Sequence, residues 1–337
     1  MSKIGIVIIG RNEGERLVRC FESLPVESEH EFLSVYVDSD SSDDSVERAK
    51  LLGIETVGLD ATLPLTAARG RNAGFTALIQ KVPELEYVQF IDGDCELLPG
   101  WLDRAISALD QNQKLAIACG RRRERFPAAT PYNRLAEMEW NTPIGEALAC
   151  GGDALVRVKA LQEVGGYNPA LICGEEPELC IRLRQKGWKI RRLDADMTLH
   201  DIAMDQFGQW WKRASRFGWS VAEGKAMYGT PPENYMVRES KSGWVWGLGL
   251  PLVAVGLLLP TKGISLLLFA VYPLLMLRVY RDRCRQGDLP TDARLYAFFC
   301  VISKFPQLAG QLQYGLRLWQ GKPGQIIEYK ATAANDS

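Results

Sequence analysis

Histidine is nearly missing from this chain: its 337 residues hold two, His30 and His200. That scarcity argues against a structural zinc site. No Cys-x-x-Cys pair occurs among the eight cysteines, Cys20, Cys95, Cys119, Cys150, Cys173, Cys180, Cys284 and Cys300. Most sit among apolar neighbours, which predicts buried free thiols in a reducing compartment. Excess charge is lacking too. The net charge is −1, so no global field draws the chain to nucleic acid and any basic patch is local. The opening MSKIGIVIIG has one lysine, a short apolar run and no small-residue cleavage site. It reads as a mature, cytosolic N-terminus. No internal repeat and no low-complexity block appears.

What is present is an alternation. β-rich runs at 3–9, 33–37, 54–57, 87–91 and 115–119 are separated by segments with helical spacing at 13–24, 43–53, 67–79 and 101–109. Strands alternating with helices predict βαβ units and an α/β fold with a mainly parallel central sheet. In such sheets ligands bind beyond the carboxyl ends of the strands. The polar clusters fall there: Arg11-Asn12-Glu13 after the first strand, Asp38 after the second, and Asp92-Gly93-Asp94 after the fourth.

Each cluster has two readings. Asp38 opens the loop "DSDSSDDS", which is either ordinary loop solvation with a helix cap or an acceptor for a base N–H or ribose hydroxyls. "AARGRNAGF" places Arg69 and Arg71 at a helix start. They are two solvated arginines or cations near a phosphate. It is not a Walker loop, because no Gly-Lys-Ser/Thr follows. Asp92-Gly93-Asp94 is a tight turn, or a pair of hard oxygen ligands for Mg²⁺ or Mn²⁺ beside a substrate diphosphate. In "GEEPELCIRL", Pro177 suits a first helical position, with Leu179 and Leu183 facing inward. Glu175 and Glu176 then either complement the helix dipole or supply a general base. A lone histidine such as His200 is more often structural. "GRRRERF", 120–126, is a solvated loop or a contact for a lipid phosphate.

The composition changes after about residue 240. From Gly243 to Leu277 the only charge is Lys262. Eighteen helical residues reach about 27 Å, close to the hydrocarbon core of about 30 Å. The expectation is a membrane-associated helical region over 243–320. A hairpin would have arms at 243–260 and 263–280, followed by an interfacial segment over 293–318. Lys241 precedes the hairpin and Arg278, Arg281, Arg283 and Arg285 follow it, which places both ends in the cytosol. The alternative is a pair lying in one leaflet or buried in a dimer. A catalytic domain over 1–225, a linker over 226–242 and a disordered tail over 330–337 complete the expected organisation. "QFGQWWKRASRFGW" predicts an amphipathic helix with Phe207, Trp210, Trp211, Ala214 and Phe217 on its apolar face. That helix would pack on the domain edge, dock on a membrane surface, or close over a diphosphate.

The order and spacing of these blocks resemble family 2 glycosyltransferases, inverting enzymes with a Rossmann-like A-type nucleotide-sugar fold. The resemblance runs from "IGIVIIGRNE" through "FIDGDCELLPGWL" and "CGGDALVRVKALQEVGGYNPAL" to "GEEPELCIRLRQKGWKI", about residues 3–220. It implies that Arg11, Asn12, Glu13 and Asp38 hold the nucleotide, with Arg71, Asp92 and Gly93 near the nucleotide or diphosphate. It implies a divalent cation, Mn²⁺ or Mg²⁺, on Asp94, Asp92 and His200. The family usually has Glu-Asp where this chain has Glu175-Glu176, so the base is Glu176 or its neighbour. The Gln-x-x-Arg-Trp of processive sugar polymerases is absent, which favours transfer of a single sugar. The expected donor is a nucleotide-diphosphate sugar and the expected acceptor a lipid-linked or membrane-held saccharide. The setting would be bacterial polysaccharide or glycolipid assembly at the cytoplasmic face of the inner membrane. The alternatives are a nucleotidyltransferase and a non-catalytic membrane scaffold.

Overall fold

β1 (Lys3–Gly10) shows why the sheet forms: Ile4, Ile6, Val7 and Ile8 are all fully buried. An apolar run covered on both faces is the signature of a central parallel strand. The computed structural model describes residues 3–25, 31–322 and 324. His30 and the tail from residue 330 lie outside the described residues.

The remaining strands are β2 (Glu31–Asp38), β3 (Glu55–Gly58), β4 (Tyr87–Asp92), β5 (Cys95–Leu97), β6 (Leu115–Glu124), β7 (Gly145–Ala147), β8 (Ala154–Arg157) and β9 (Lys189–His200). Their order is β3-β2-β1-β4-β8-β6-β9-β5, with β7 also paired to β9. β1 pairs in parallel with β2 and β4, β2 with β3, and β6 with β9. β8 runs antiparallel to both β4 and β6. The frame is therefore mainly parallel with β8 reversed inside it. Register aligns Gly10 with Asp38 and Ile9 with Asp92, so the predicted polar clusters share one edge.

Helices flank these strands: α1 (Glu15–Glu22), α2 (Ser45–Leu51), α3 (Ala67–Lys81), α4 (Trp101–Gln111), α6 (Val158–Glu163) and α7 (Glu175–Gln185), while most of α5 (Pro131–Trp140) falls in a second compact unit. Thr66 caps α3 by accepting from the Arg69 N–H. Gly174, at φ 79°, is the N-cap of α7. Pro177 therefore falls in the third helical position rather than the first, where its missing N–H still costs nothing. Leu179 and Leu183 are fully buried, as the spacing predicts.

The chain divides into two compact units. One takes residues up to Pro127 together with Glu139–Ala203; the other takes Ala128–Met138 and continues from Met204. The second contains α8 (Phe207–Tyr228), α9 (Val237–Trp244), α10 (Leu250–Gly256), α11 (Val271–Arg285), α12 (Pro290–Ile302) and α13 (Lys304–Trp319). α8, expected within the catalytic segment 1–225, belongs to this second unit. Its buried face also differs from expectation. Trp210, Ser215, Gly218, Trp219 and Val221 are buried, whereas Phe207 and Phe217 are exposed. Backbone proximity explains the difference. A Cβ on Gly310 of α13 would lie 1.9 Å from the Ser215 carbonyl oxygen, and one on Gly218 would lie 2.1 Å from that of Gln307. Only small residues permit so close an approach.

Two helical arms, Val237–Gly256 and Ile264–Arg285, meet at a turn in this unit. α9 passes through a π-helical stretch, Val245–Gly249, into α10, and a 3₁₀ stretch, Ile264–Ala270, leads into α11. Lys262 and Gly263 make the turn at φ 50° and 90°. The Ser265 hydroxyl donates to the Ala254 carbonyl at 2.6 Å and Tyr272 donates to that of Trp246, tying the arms together. Among the described residues, Ile264–Arg285 is the one helix long and apolar enough to cross a membrane. Its flank and that of α10 are largely exposed, including Leu252, Leu267 and Leu274. The expected interfacial segment 293–318 is broken at Ser303 into α12 and α13, with Pro306 in the first turn of the latter.

Candidate active site

The strand ends carry the polar groups, and local turn chemistry holds them there. Asn12 sits in a left-handed conformation, φ 54°, and its side-chain oxygen accepts the Ser42 N–H at 2.7 Å. The Ser41 hydroxyl accepts the Asn12 N–H at 3.0 Å. The Arg11–Glu13 turn is thus latched to the loop after β2. Asp38, 6% exposed, accepts the Tyr36 hydroxyl at 2.9 Å and the Ser41 N–H at 2.9 Å. Burial, then the Asp38 charge, push the Tyr36 phenol well up, so it stays a donor. Glu13 pairs with Arg16 at 2.9 Å, and Arg11 is exposed beside it.

Arg71 is the hub of the next cluster. It is 2% exposed and reaches three carboxylates: Glu175 at 2.8 Å, Asp92 at 2.9 Å and Glu176 at 3.2 Å. Its guanidinium also lies over the Tyr167 ring, 5.5 Å from the centroid. Asn72 fixes that ring by bonding both the N–H and the carbonyl of Tyr167. A side chain at position 152 would collide here: a Cβ on Gly152 would lie 2.4 Å from an Arg71 nitrogen and 2.9 Å from an Asp92 oxygen. Glu175 and Glu176 differ in setting. The Glu175 carboxylate is the more buried and takes the shorter bond to Arg71. Burial, then the adjacent Glu175 charge, raise Glu176 to about 7, against the lowering pull of Arg71.

Asp94 turns the other way from Asp92. It is 4% exposed and one oxygen lies 2.9 Å from Nε2 of His200, at the end of β9. The Cys95 thiol donates to its other oxygen at 3.7 Å. Burial, then the Arg122 charge, lower His200 to about 4, so its ring is neutral and offers a lone pair near neutral pH. Asp94, Cys95 and His200 present three ligand atoms within 4.8 Å of one another. A carboxylate and a neutral imidazole suit a divalent cation of intermediate hardness. The Cys95 thiol suits it less, because burial pushes its pKa well up and keeps its proton on. Asp92 falls in a second such group, with Cys95 and Asp153, whose ligand atoms also lie within 4.8 Å of one another. Its two oxygens face Arg71 at 2.9 Å and Arg122 at 3.5 Å.

Comparison with known proteins bears on this geometry. Residues 5–165 match the sequence model described as "Glycosyl transferase family 2". Over that segment, just under half of its length, the chain is similar to this family. A "Pre-mycofactocin glycosyltransferase" of Mycobacterium tuberculosis is 26% identical to this chain over 166 residues, 46% of this chain and 34% of that protein. The "Glucomannan 4-beta-mannosyltransferase 7" of Arabidopsis thaliana is 28% identical over 124 residues, 34% of this chain and 22% of its own. The chain thus spans about a third of the first relative and about a fifth of the second. Among solved structures, the mannosyltransferase PcManGT of Pyrobaculum calidifontis, in complex with GDP-Man and Mn²⁺, has a TM-score of 0.56 at 14% identity, covering 95% of this chain and 88% of that one. Residues 1–349 of S. aureus TarS have a TM-score of 0.52 at 14% identity, covering 96% and 92%. These structural likenesses establish the fold.

The structure also brings to the site residues that sequence reasoning set aside. "GRRRERF" is not a loop after a strand, because β6 continues to Glu124. Arg122 points inward, 2.8 Å from Asp153, while Arg123 pairs outward with Asp196. Glu124 is buried and accepts the Ile202 N–H at 3.2 Å. A period of two within the basic run is the signal that separates these residues. Trp140 completes this corner, its ring 4.7 Å from that of His200 and under the Arg122 guanidinium at 5.7 Å.

Proposed function

We propose that the chain is an inverting glycosyltransferase that moves one sugar from a nucleotide-diphosphate sugar to a saccharide hydroxyl. The observation that carries this reading is the pairing of Glu176, raised to about 7, with an arginine that also holds Asp92. A carboxylate tuned to the working pH suits proton removal from an acceptor hydroxyl. The acceptor oxygen then attacks the anomeric carbon as the bond to the diphosphate breaks, inverting that centre. Glu176 keeps the proton, and Arg71 stabilises the carboxylate before it does so. Glu175 is the alternative base. Asp38 and the Arg11–Glu13 loop receive the nucleotide, with Gly93 leaving room beside Ile9. Asp94 and His200 hold Mn²⁺ or Mg²⁺, which when bound neutralises charge on the leaving diphosphate.

The second unit keeps this chemistry at a membrane. Its exposed hairpin flanks and the arginines at the end of α11 support an anchor with both ends cytoplasmic. The acceptor is then lipid-linked or otherwise membrane-held, in polysaccharide or glycolipid assembly at the cytoplasmic face of a bacterial inner membrane.

A calorimetric panel on detergent-purified protein tests the reading. UDP, GDP, CDP and dTDP are titrated with and without Mn²⁺, on wild type and Asp94→Ala. One nucleotide bound with dependence on both Mn²⁺ and Asp94 is expected. No nucleotide bound, or no effect of Asp94→Ala, refutes it. Release of pyrophosphate rather than nucleoside diphosphate from a donor would point to nucleotidyl transfer. Extraction of the full chain from membranes by carbonate would refute the anchor.

A further inference from the structure

Asp153 is fully buried, yet it lies in a stretch, "CGGDALVR", whose apolar neighbours explain β8 without it. A buried carboxylate must be paired and hydrogen-bonded to be tolerated. Asp153 is both. One oxygen accepts the backbone N–H of Asp92 at 3.0 Å. The other accepts the Thr198 hydroxyl at 2.7 Å and forms an ion pair with the Arg122 guanidinium at 2.8 Å. The same Arg122 nitrogen reaches an Asp92 oxygen at 3.5 Å. One side chain from the start of β8 therefore ties together the end of β4, the far half of β6 and the end of β9. Those are the segments that present Asp92, Arg122 and His200.

We propose that Asp153 is a positioning residue for donor binding, and that with Arg122 it forms a clamp fixing the Asp92 end of the site. The inference rests on the glycosyltransferase reading above. Its logic is geometric. The Asp92 carboxylate is directed by its own backbone, and Asp153 pins that backbone. Arg122 is set by Asp153 so that its partly exposed guanidinium stays beside Asp92, where an anionic diphosphate needs cations. Asp153 touches neither reactant, so its effect is on placement. Small displacements of such groups cost far more in binding than in folding.

The test separates placement from mere stability. Asp153→Asn leaves the Arg122 guanidinium with its nearest partner neutralised, so both melting temperature and affinity for the nucleoside diphosphate fall. Replacing both partners removes the stranded charge and recovers the fold. The Arg122→Met, Asp153→Asn double variant therefore recovers most of the lost melting temperature. It still binds the Mn²⁺ complex of the nucleoside diphosphate that wild type selects at least tenfold more weakly. Thr198→Val, a milder change, weakens the same binding about threefold with little change in melting. Affinity recovering in step with melting temperature in the double variant, or unchanged affinity in all three, overturns the clamp while leaving the donor reading intact. Wild type binding no nucleoside diphosphate overturns the donor reading and the clamp with it.

Discussion

Replacing Arg71 with methionine would strand three carboxylates at once. Glu175 is 4% exposed and has Arg71 at 2.8 Å; Glu176 and Asp92 lie at 3.2 and 2.9 Å. Removing one partner of a buried pair costs about 3–5 kcal/mol, because the remaining charge stays desolvated. For a domain of this size each kcal/mol lowers the melting temperature by about 2–4 °C, so the expected fall is about 6–20 °C near pH 8. The pH dependence carries the sharper signature. Without Arg71, which pulls it down, the folded-state pKa of Glu176 rises further above its unfolded value. Stability is then lost as pH climbs from the unfolded pKa toward the folded one, and regained as pH falls. The gap between Arg71→Met and wild type should therefore narrow from pH 8 to pH 5. Differential scanning calorimetry across that range checks it. A gap under about 2 °C at pH 8, or one that does not change with pH, refutes the claim that Arg71 neutralises this cluster.

Turnover measured as nucleoside diphosphate release should rise through a pKa near 7 as Glu176 ionises. Glu176→Gln should remove that limb with a loss of about 10²–10⁴-fold, and Glu175→Gln should cost stability more than rate. His200→Ala should weaken Mn²⁺ binding by about 10–100-fold or more, read by Mn²⁺ titration with the nucleotide present; unchanged Mn²⁺ affinity would make the histidine a packing residue. Gly310→Ala should force α13 off α8 and destabilise the second unit by about 1–3 kcal/mol, and a melt equal to wild type would refute the tight seam.

Much of the first unit was legible because its signals are local. A Val/Ile run ending in Asp92-Gly93-Asp94 needs only its neighbours to read as a strand end. The distribution of partners was not legible. Asp92 and Asp94 are two residues apart yet face opposite partners, arginines for one and His200 for the other. That division is made by β8, β6 and β9, which lie far along the chain. Asp153 was invisible for the same reason, since its partners come from three other strands. The contact face of α8 was misplaced because hydrophobicity pointed to Phe217, whereas the backbone approach is set by Ser215 and Gly218.

The contact between α8 and α13 has a consequence for how the second unit tolerates its surroundings. Water squeezes large apolar side chains together, but lipid tails do not. A junction made at Gly218 and Gly310 relies on dispersion between near-touching backbones, and that attraction persists in either medium. The helices meeting there can keep their mutual arrangement while the outer flanks exchange an aqueous environment for an oily one. A structure held by its glycines is, in this sense, indifferent to its solvent.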